Sequence, residues 1–134
     1  MNVNTEIGEF VIRPIGYVVE NKSDPHTEAS GTKVVEILPG LARGLEGIEQ
    51  FDTIWVLYWL HQLPEETRSV LLVHPRGDRS APLRGVFSTH SPVRPNPIGL
   101  ARARLIRREG NVLYLADLDA LPGSPVIDIK AGDS

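Results

Sequence analysis

The chain contains no cysteine. That absence excludes a disulfide scaffold, cysteine-ligated zinc and a thiolate nucleophile, and it suits a reducing, cytoplasmic compartment. Long apolar runs are missing too: "IWVLYWLHQL" falls well short of the roughly 20 residues a membrane span needs. No membrane partner is expected. The start, "MNVNTEIGEF", has no basic segment leading into an apolar one, so no export signal is predicted. A strong excess of one charge is also absent, since the net charge is -3.

Several chemistries are excluded by missing motifs. There is no G-x-x-x-x-G-K-[ST], and Gly40, Gly44 and Gly47 lack the dinucleotide-fingerprint spacing, so nucleotide hydrolysis is not indicated. His26, His61, His74 and His90 are scattered without a His-x-x-x-His pair, which argues against a metal centre. No G-x-S-x-G is present. Ser88 and Ser91 flank His90, but sequence neighbours rarely form a nucleophile and its base.

The 134 residues are read as one domain, 1–134, long enough to bury a core without metal or disulfide staples. Its apolar runs are short and fall between turn signals: "FVIRPIGYVV", "TKVVEIL", "FDTIWVLYWL", "SVLLVHP", "LRGVFS", "LARARLIRR", "NVLYLADL" and "PVIDIK". Their β-branched and aromatic content predicts a mainly all-β fold, a small closed antiparallel β-barrel with one short helix. "RREGN" reads as a hairpin turn. The helix is expected in "PGLARGLEGIEQF", with Leu41, Leu45 and Ile48 on one face and Pro39 at its start. "NKSDPHTEASG" has no apolar period and reads as an exposed loop.

One strand is apolar on both faces, with Ile54, Val56, Tyr58 and Leu60 on one side and Trp55, Leu57 and Trp59 on the other. The barrel interior covers only one of them. A homodimer is the expected cover for the second.

Charge is divided unevenly. Residues 1–66 hold 4 basic and 11 acidic side chains, a balance of -7, and residues 67–134 hold 10 and 6, a balance of +4. Arg76, Arg79, Arg84, Arg94, Arg102, Arg104, Arg107 and Arg108 are candidates for a basic face toward an anionic partner. Arg102 and Arg104 alternate with Ala101, Ala103 and Leu105, which favours the outer face of a strand for those two.

The arginines surround "STHSPVRPNPIGLARARL", residues 88–105. Prolines at 92, 95 and 97 make a stiff, extended ribbon that cannot join a sheet centrally. Arg94 and Asn96 are thereby aimed in fixed directions, either to orient a substrate or to shape the loop. Other polar groups sit at strand ends: His61 and Gln62, His90, and the acids and serine of "DLDALPGSPVIDIK". Three stiff loops meeting at one end of a barrel would make a site. Taken singly, each residue also has a plain structural role, Asp128 with Lys130 as a strand pair for example.

At these residues the chain resembles the TsaA-like family, which includes the tRNA threonylcarbamoyladenosine methyltransferases. The matching stretches are "GLEGIEQFDTIWVLYWLH", "VHPRGD", "GVFSTHSPVRPNPIGLARARL" and "LDALPGSPVIDIK". The resemblance implies a small β-barrel that binds S-adenosylmethionine, as a dimer with the cofactor near the subunit boundary. It also implies methyl transfer to N6 of a threonylcarbamoylated adenosine beside the tRNA anticodon. Carried over block by block, His61, Gln62, His90, Leu100, Leu121, Pro122, Gly123 and Ser124 fall where the family lines its cofactor pocket. No residue is assigned as catalytic; Arg94 and Asn96 are the candidates.

Three departures accompany the match. His90 stands where the family usually has Arg, Pro122 where an Asp is common, and "IKAGDS" where the family continues Ile-Lys-Pro-Tyr. Histidine has a shorter reach than arginine and a charge that depends on pH. The extra C-terminal domain of longer bacterial members is not expected here. Methyl transfer to tRNA is the leading expectation, with a small-molecule methyltransferase or a non-catalytic S-adenosylmethionine-binding barrel as alternatives.

Overall fold

The computed structural model describes residues 8–20 and 31–133. The loop expected at 21–31 lies almost wholly outside them, as does His26. Eight strands follow in order: β1 (Gly16–Val19), β2 (Lys33–Ile37), β3 (Thr53–Trp59), β4 (Leu72–Val73), β5 (Arg84–Gly85), β6 (Ile98–Glu109), β7 (Val112–Ala116) and β8 (Pro125–Ala131). Six of them close a barrel in the order β1-β2-β7-β6-β3-β8, with β8 pairing β1 to complete the ring. Every pairing is antiparallel. The barrel matches the expected fold class.

Alternation makes the core. Along β3, Ile54, Val56 and Tyr58 are buried, and they meet Val18, Val35, Ile37, Ala103, Leu113, Leu115 and Val126 inside. The intervening residues of β3 point outward, and Trp55 is 38% exposed. Period-2 burial of this kind fixes register, because a one-residue slip would turn the whole apolar set to solvent. Arg102 and Arg104 flank the fully buried Ala103 and are exposed, as their alternation indicated.

Two expectations are corrected by the structure. The runs at β4 and β5 do not enter the barrel; they pair only with each other, and Leu71, Leu72 and Leu83 stay exposed. The expected helix is two 3-10 segments, Pro39–Leu45 and Ile48–Gln50. Three glycines in so short a stretch, at about 1 kcal/mol each relative to alanine, do not sustain an α-helix. A 3-10 segment repeats every three residues. Leu41 and Leu45, four apart, therefore do not share a face, and Leu41 is exposed while Leu45 is buried; Ile48 is buried from the second segment, beyond the left-handed Gly47.

Between β3 and β6 the chain makes a long excursion outside the barrel sheet, with short 3-10 turns at Glu65–Ser69, Pro75–Gly77 and Val86–Ser88. β6 and β7 are joined by the expected tight hairpin at Gly110 and Asn111. Asn111 Nδ2 donates to the Ile37 carbonyl, 2.6 Å, which ties the hairpin to the end of β2.

Candidate functional site

The proline ribbon is held from three sides. Its own hydroxyls fold its first half: Thr89 Oγ1 accepts from the Ser91 N–H at 3.0 Å, and Ser91 Oγ accepts from the Val93 N–H at 3.1 Å, both of the local side-chain turn type. Arg94 turns back on the loop and donates to the Thr89 and Ser91 carbonyls at 3.3 and 2.9 Å. In this chain Arg94 shapes the loop. At the far end the buried Pro97 gives its carbonyl to the Leu60 N–H, 2.8 Å.

Arg68 holds the ribbon's middle, and nothing in the sequence pattern singled it out. Its Nε donates to the Pro95 carbonyl at 2.6 Å and an Nη to Asn96 Oδ1 at 3.1 Å. The guanidinium lies 5.5 Å from the Trp59 ring centroid and pairs with Glu65 at 3.3 Å. Planar donors that also stack on an aromatic ring are what arginine, and not lysine, provides. Asn96 is thereby engaged by Arg68 through its side-chain oxygen.

So braced, the ribbon walls a groove of about 770 Å³. Tyr58, Leu60, His90, Leu100, Asp117 and Asp119 border it. Leu100 is 60% exposed, and His90 is exposed with no hydrogen-bond partner among the described residues. Tyr58 anchors the floor. Its hydroxyl donates to the Asp119 carbonyl at 2.7 Å, and its ring lies over Gly99, where any Cβ would collide with the ring carbons. Burial, with the Asp119 charge second, raises the Tyr58 hydroxyl above its ordinary value of 10.0. It stays a donor at neutral pH. Asp117 sits at φ 65°, a left-handed conformation that non-glycine residues adopt sparingly.

A second group gathers at the turn before β8. Ser124, 3% exposed, donates its hydroxyl to the Leu121 carbonyl at 2.6 Å and lies 3.5 Å from His61 Nδ1. Since the hydroxyl proton is committed to Leu121, the matching histidine tautomer carries its proton on Nδ1. The Gly123 N–H donates to Val18 O at 2.7 Å, pinning the turn to β1, and Gly123 adopts φ 90°. Leu121, Pro122 and Gln62 are exposed beside it. The eight candidate pocket residues thus fall into two groups, His90 with Leu100 and His61 with Gln62 and the 121–124 turn, linked through the 117–124 segment and the Tyr58–Asp119 bond.

The arginines do not form one face. Arg102 pairs with Asp133, Arg108 with Glu49 at 3.3 Å, and Arg107 with Glu109 at 3.1 Å while stacking 3.8 Å from the Tyr114 ring. Lys130 and Asp128 form a strand pair at 3.1 Å.

Comparison with known proteins settles which family carries this architecture. Residues 20–131 match the model for the tRNA-methyltransferase O N-terminal domain. This chain belongs to that family. A probable S-adenosyl-L-methionine-binding protein from Methanothermobacter thermautotrophicus is 46% identical over 128 residues, covering 91% of this chain and 89% of the relative. A rat tRNA (adenine(37)-N6)-methyltransferase is 32% identical over 93% of this chain and 31% of its own length. The crystal structure of TrmO from Pseudomonas aeruginosa superposes with a TM-score of 0.67 at 30% identity, over 93% of this chain. The chain spans 56% of that structure. The family's chemistry is S-adenosylmethionine-dependent methyl transfer, with that molecule as cofactor.

The side chains present fit such a ligand. Exposed Leu100 and Leu121 offer apolar surface to an adenine. The Asp117 and Asp119 carboxylates suit ribose hydroxyls or an ammonium, and His90 suits a carboxylate. The cofactor supplies an electrophilic methyl group on a cationic sulfur. Against such a group the protein needs no nucleophile of its own; positioning and water exclusion carry the rate.

Proposed function

We propose that this chain methylates N6 of a threonylcarbamoylated adenosine beside the tRNA anticodon, as a cytoplasmic homodimer. The observation that carries this reading is the braced groove. Tyr58, His90 and Leu100 border it together with the carboxylates of Asp117 and Asp119, so groups suited to the cofactor and to the acceptor share one space. The name of the rat relative supports adenine N6 as the acceptor. In the transfer, the sulfur–methyl bond breaks as the nitrogen–methyl bond forms, and the N6 proton leaves. Asp117 and Asp119 are the bordering carboxylates that can take it. His61, Gln62 and the 121–124 turn, with His90 and Leu100, hold the cofactor, while Arg94 and Asn96 position the ribbon rather than touch the reacting atoms.

The homodimer rests on the exposed apolar outer faces of β3 and β6, where Trp55 and Leu100 stand open. Sedimentation at micromolar protein tests it, and a monomer there overturns it. For the reaction, the protein is incubated with labelled S-adenosylmethionine and total tRNA from cells lacking it, and nucleosides are analysed by mass spectrometry. Label at N6 of threonylcarbamoyladenosine is expected. Label in no nucleoside, with cofactor heat intact in calorimetry, overturns the tRNA acceptor and replaces this reading with a methyltransferase for a small molecule.

A further inference from the structure

Beside the ribbon's first residues lies a second cleft, of about 550 Å³. His74, Arg76, Arg84, Ser88, His90 and Ser91 border it, and no carboxylate does. Among the described residues neither Arg76 nor Arg84 enters an ion pair, unlike Arg68, Arg102, Arg107 and Arg108. The neighbouring acid, Asp78, is turned to its own loop, where its Oδ1 accepts from the Ser80 N–H at 3.0 Å and from the Ser80 hydroxyl. Two unneutralised guanidinium groups beside serine hydroxyls make a binding surface for an anion.

The cleft is also built. Arg76 adopts φ 56° and ψ 25° within the turn His74 to Asp78, a left-handed conformation that non-glycine residues adopt sparingly. The turn is closed by the Gly77 N–H on His74 O and the Asp78 N–H on Pro75 O, both 3.0 Å. Arg84 is fixed by the β4–β5 ribbon, opposite Val73. His74 Nδ1 donates to the Ala81 carbonyl at 2.9 Å, which ties the turn to the segment that leads into β5. Thr89, His90, Ser91 and Pro92 border both this cleft and the Tyr58 groove. The two spaces share a wall.

We propose that this cleft binds phosphodiester groups of the RNA substrate, with Arg76 and Arg84 as the contacts, and so holds the strand while its target base occupies the adjoining groove. The inference rests on the tRNA reading above. Arg102, Arg107 and Arg108 on the barrel are paired with carboxylates, which leaves the unpaired Arg76 and Arg84 as the cations of this cleft. Each arginine that neutralises a phosphate releases counterions, which gives binding a measurable salt slope.

The test uses the full chain and an anticodon stem-loop RNA, with filter binding across a salt series and the methyl-transfer assay in parallel. Arg76→Gln and Arg84→Gln are each expected to weaken RNA binding about 5-fold and to lower the slope of log K against log salt by about 0.7 to 0.9. The double variant combines both losses, and Arg76→Lys keeps most of the slope. Arg104→Gln, on the outer face of β6, serves as the charge control and leaves the slope unchanged. Unaltered cofactor heat in every variant excludes misfolding as the cause. Normal tRNA methylation with unchanged slopes in the two glutamine variants overturns the phosphate cleft and leaves the tRNA reading standing. Arginine-dependent RNA binding without methyl transfer keeps the cleft and removes the reaction. Inorganic phosphate, titrated at constant ionic strength, separates the sources. Phosphate heat that vanishes in Arg76→Gln, with RNA affinity equal in both proteins, overturns the RNA assignment in favour of a free anion.

Discussion

The barrel strands bond to neighbours on both edges, whereas the excursion from Leu60 to Pro97 has one two-residue ribbon as its strand pairing. The barrel's inward side chains are sealed, with Ile54, Val56, Leu113 and Leu115 fully buried. In the excursion Leu71, Leu72, Leu83 and Phe87 remain exposed. What fixes the excursion is a set of side-chain bonds to carbonyls, from Arg68, His74, Thr89 and Arg94. Stability therefore resides in one region and the shape of the grooves in the other. Substitutions in the two regions should part company, one set reporting on unfolding and the other on binding and transfer.

The largest effect belongs to the barrel. Leu113→Ala empties a fully buried position and is expected to destabilise the fold by about 2 to 5 kcal/mol, the usual range for a buried leucine that leaves a cavity. Urea unfolding measures it directly. A loss under about 1 kcal/mol would mean the interior collapses around the gap and the contrast with the excursion is smaller than the burial indicates.

Arg68→Ala tests the other region. The ribbon loses its bonds to Pro95 and Asn96, and methyl transfer is expected to fall about tenfold, equivalent to about 1.4 kcal/mol in the barrier. The urea midpoint should move far less than with Leu113→Ala, because Arg68 is partly exposed and no core residue is removed. Arg68→Lys should not restore the rate, since a single ammonium cannot bridge Pro95, Asn96 and the Trp59 face together. Equal losses of stability and rate would erase the division between the regions.

The same division explains what could be read in the sequence. The alternation of Ile54, Val56 and Tyr58 against Trp55 and Leu57, and the hairpin at "RREGN", depend on neighbours a few residues apart, and both are found as expected. The apolar runs around Leu72 and Arg84 carry the same local pattern. They fail to join the barrel because its six strands already close the ring, a fact of topology that no window of sequence contains. Leu41 is misread for a different reason, a helix of period 3.6 assumed where a 3-10 repeat of three occurs. Arg68 was invisible because its partners lie 27 and 28 residues downstream, and only the fold brings them together. For the site, the ribbon's stiffness was legible from its prolines. That Arg94 bonds back to the Thr89 and Ser91 carbonyls, and that Asn96 accepts from Arg68, was one of two directions the prolines left open.

Tyr58 joins the two regions, and it gives the smallest and sharpest test. Its ring belongs to the core cluster, while its hydroxyl reaches the Asp119 carbonyl in the loop beside the groove. Tyr58→Phe keeps the ring and removes the bond, so the expected loss is about 0.5 to 1.5 kcal/mol. A pH dependence follows from the raised pKa, caused first by burial and then by the Asp119 charge. The folded protein keeps this proton at pH values where the unfolded chain, with its hydroxyl at the ordinary value of 10.0, has begun to release it. The unfolded state binds fewer protons there, and stability falls as pH rises. The contribution is complete below pH 10 and is lost as pH climbs through the folded value. Urea unfolding of both proteins from neutral pH to above 10 isolates it, since every other titrating group is shared. The difference in stability between wild type and Tyr58→Phe should be constant below pH 10 and shrink above it. A difference that stays constant through the alkaline range would mean that the hydroxyl is solvated in the folded state, and that the link between the barrel floor and the Asp119 loop does not hold in solution.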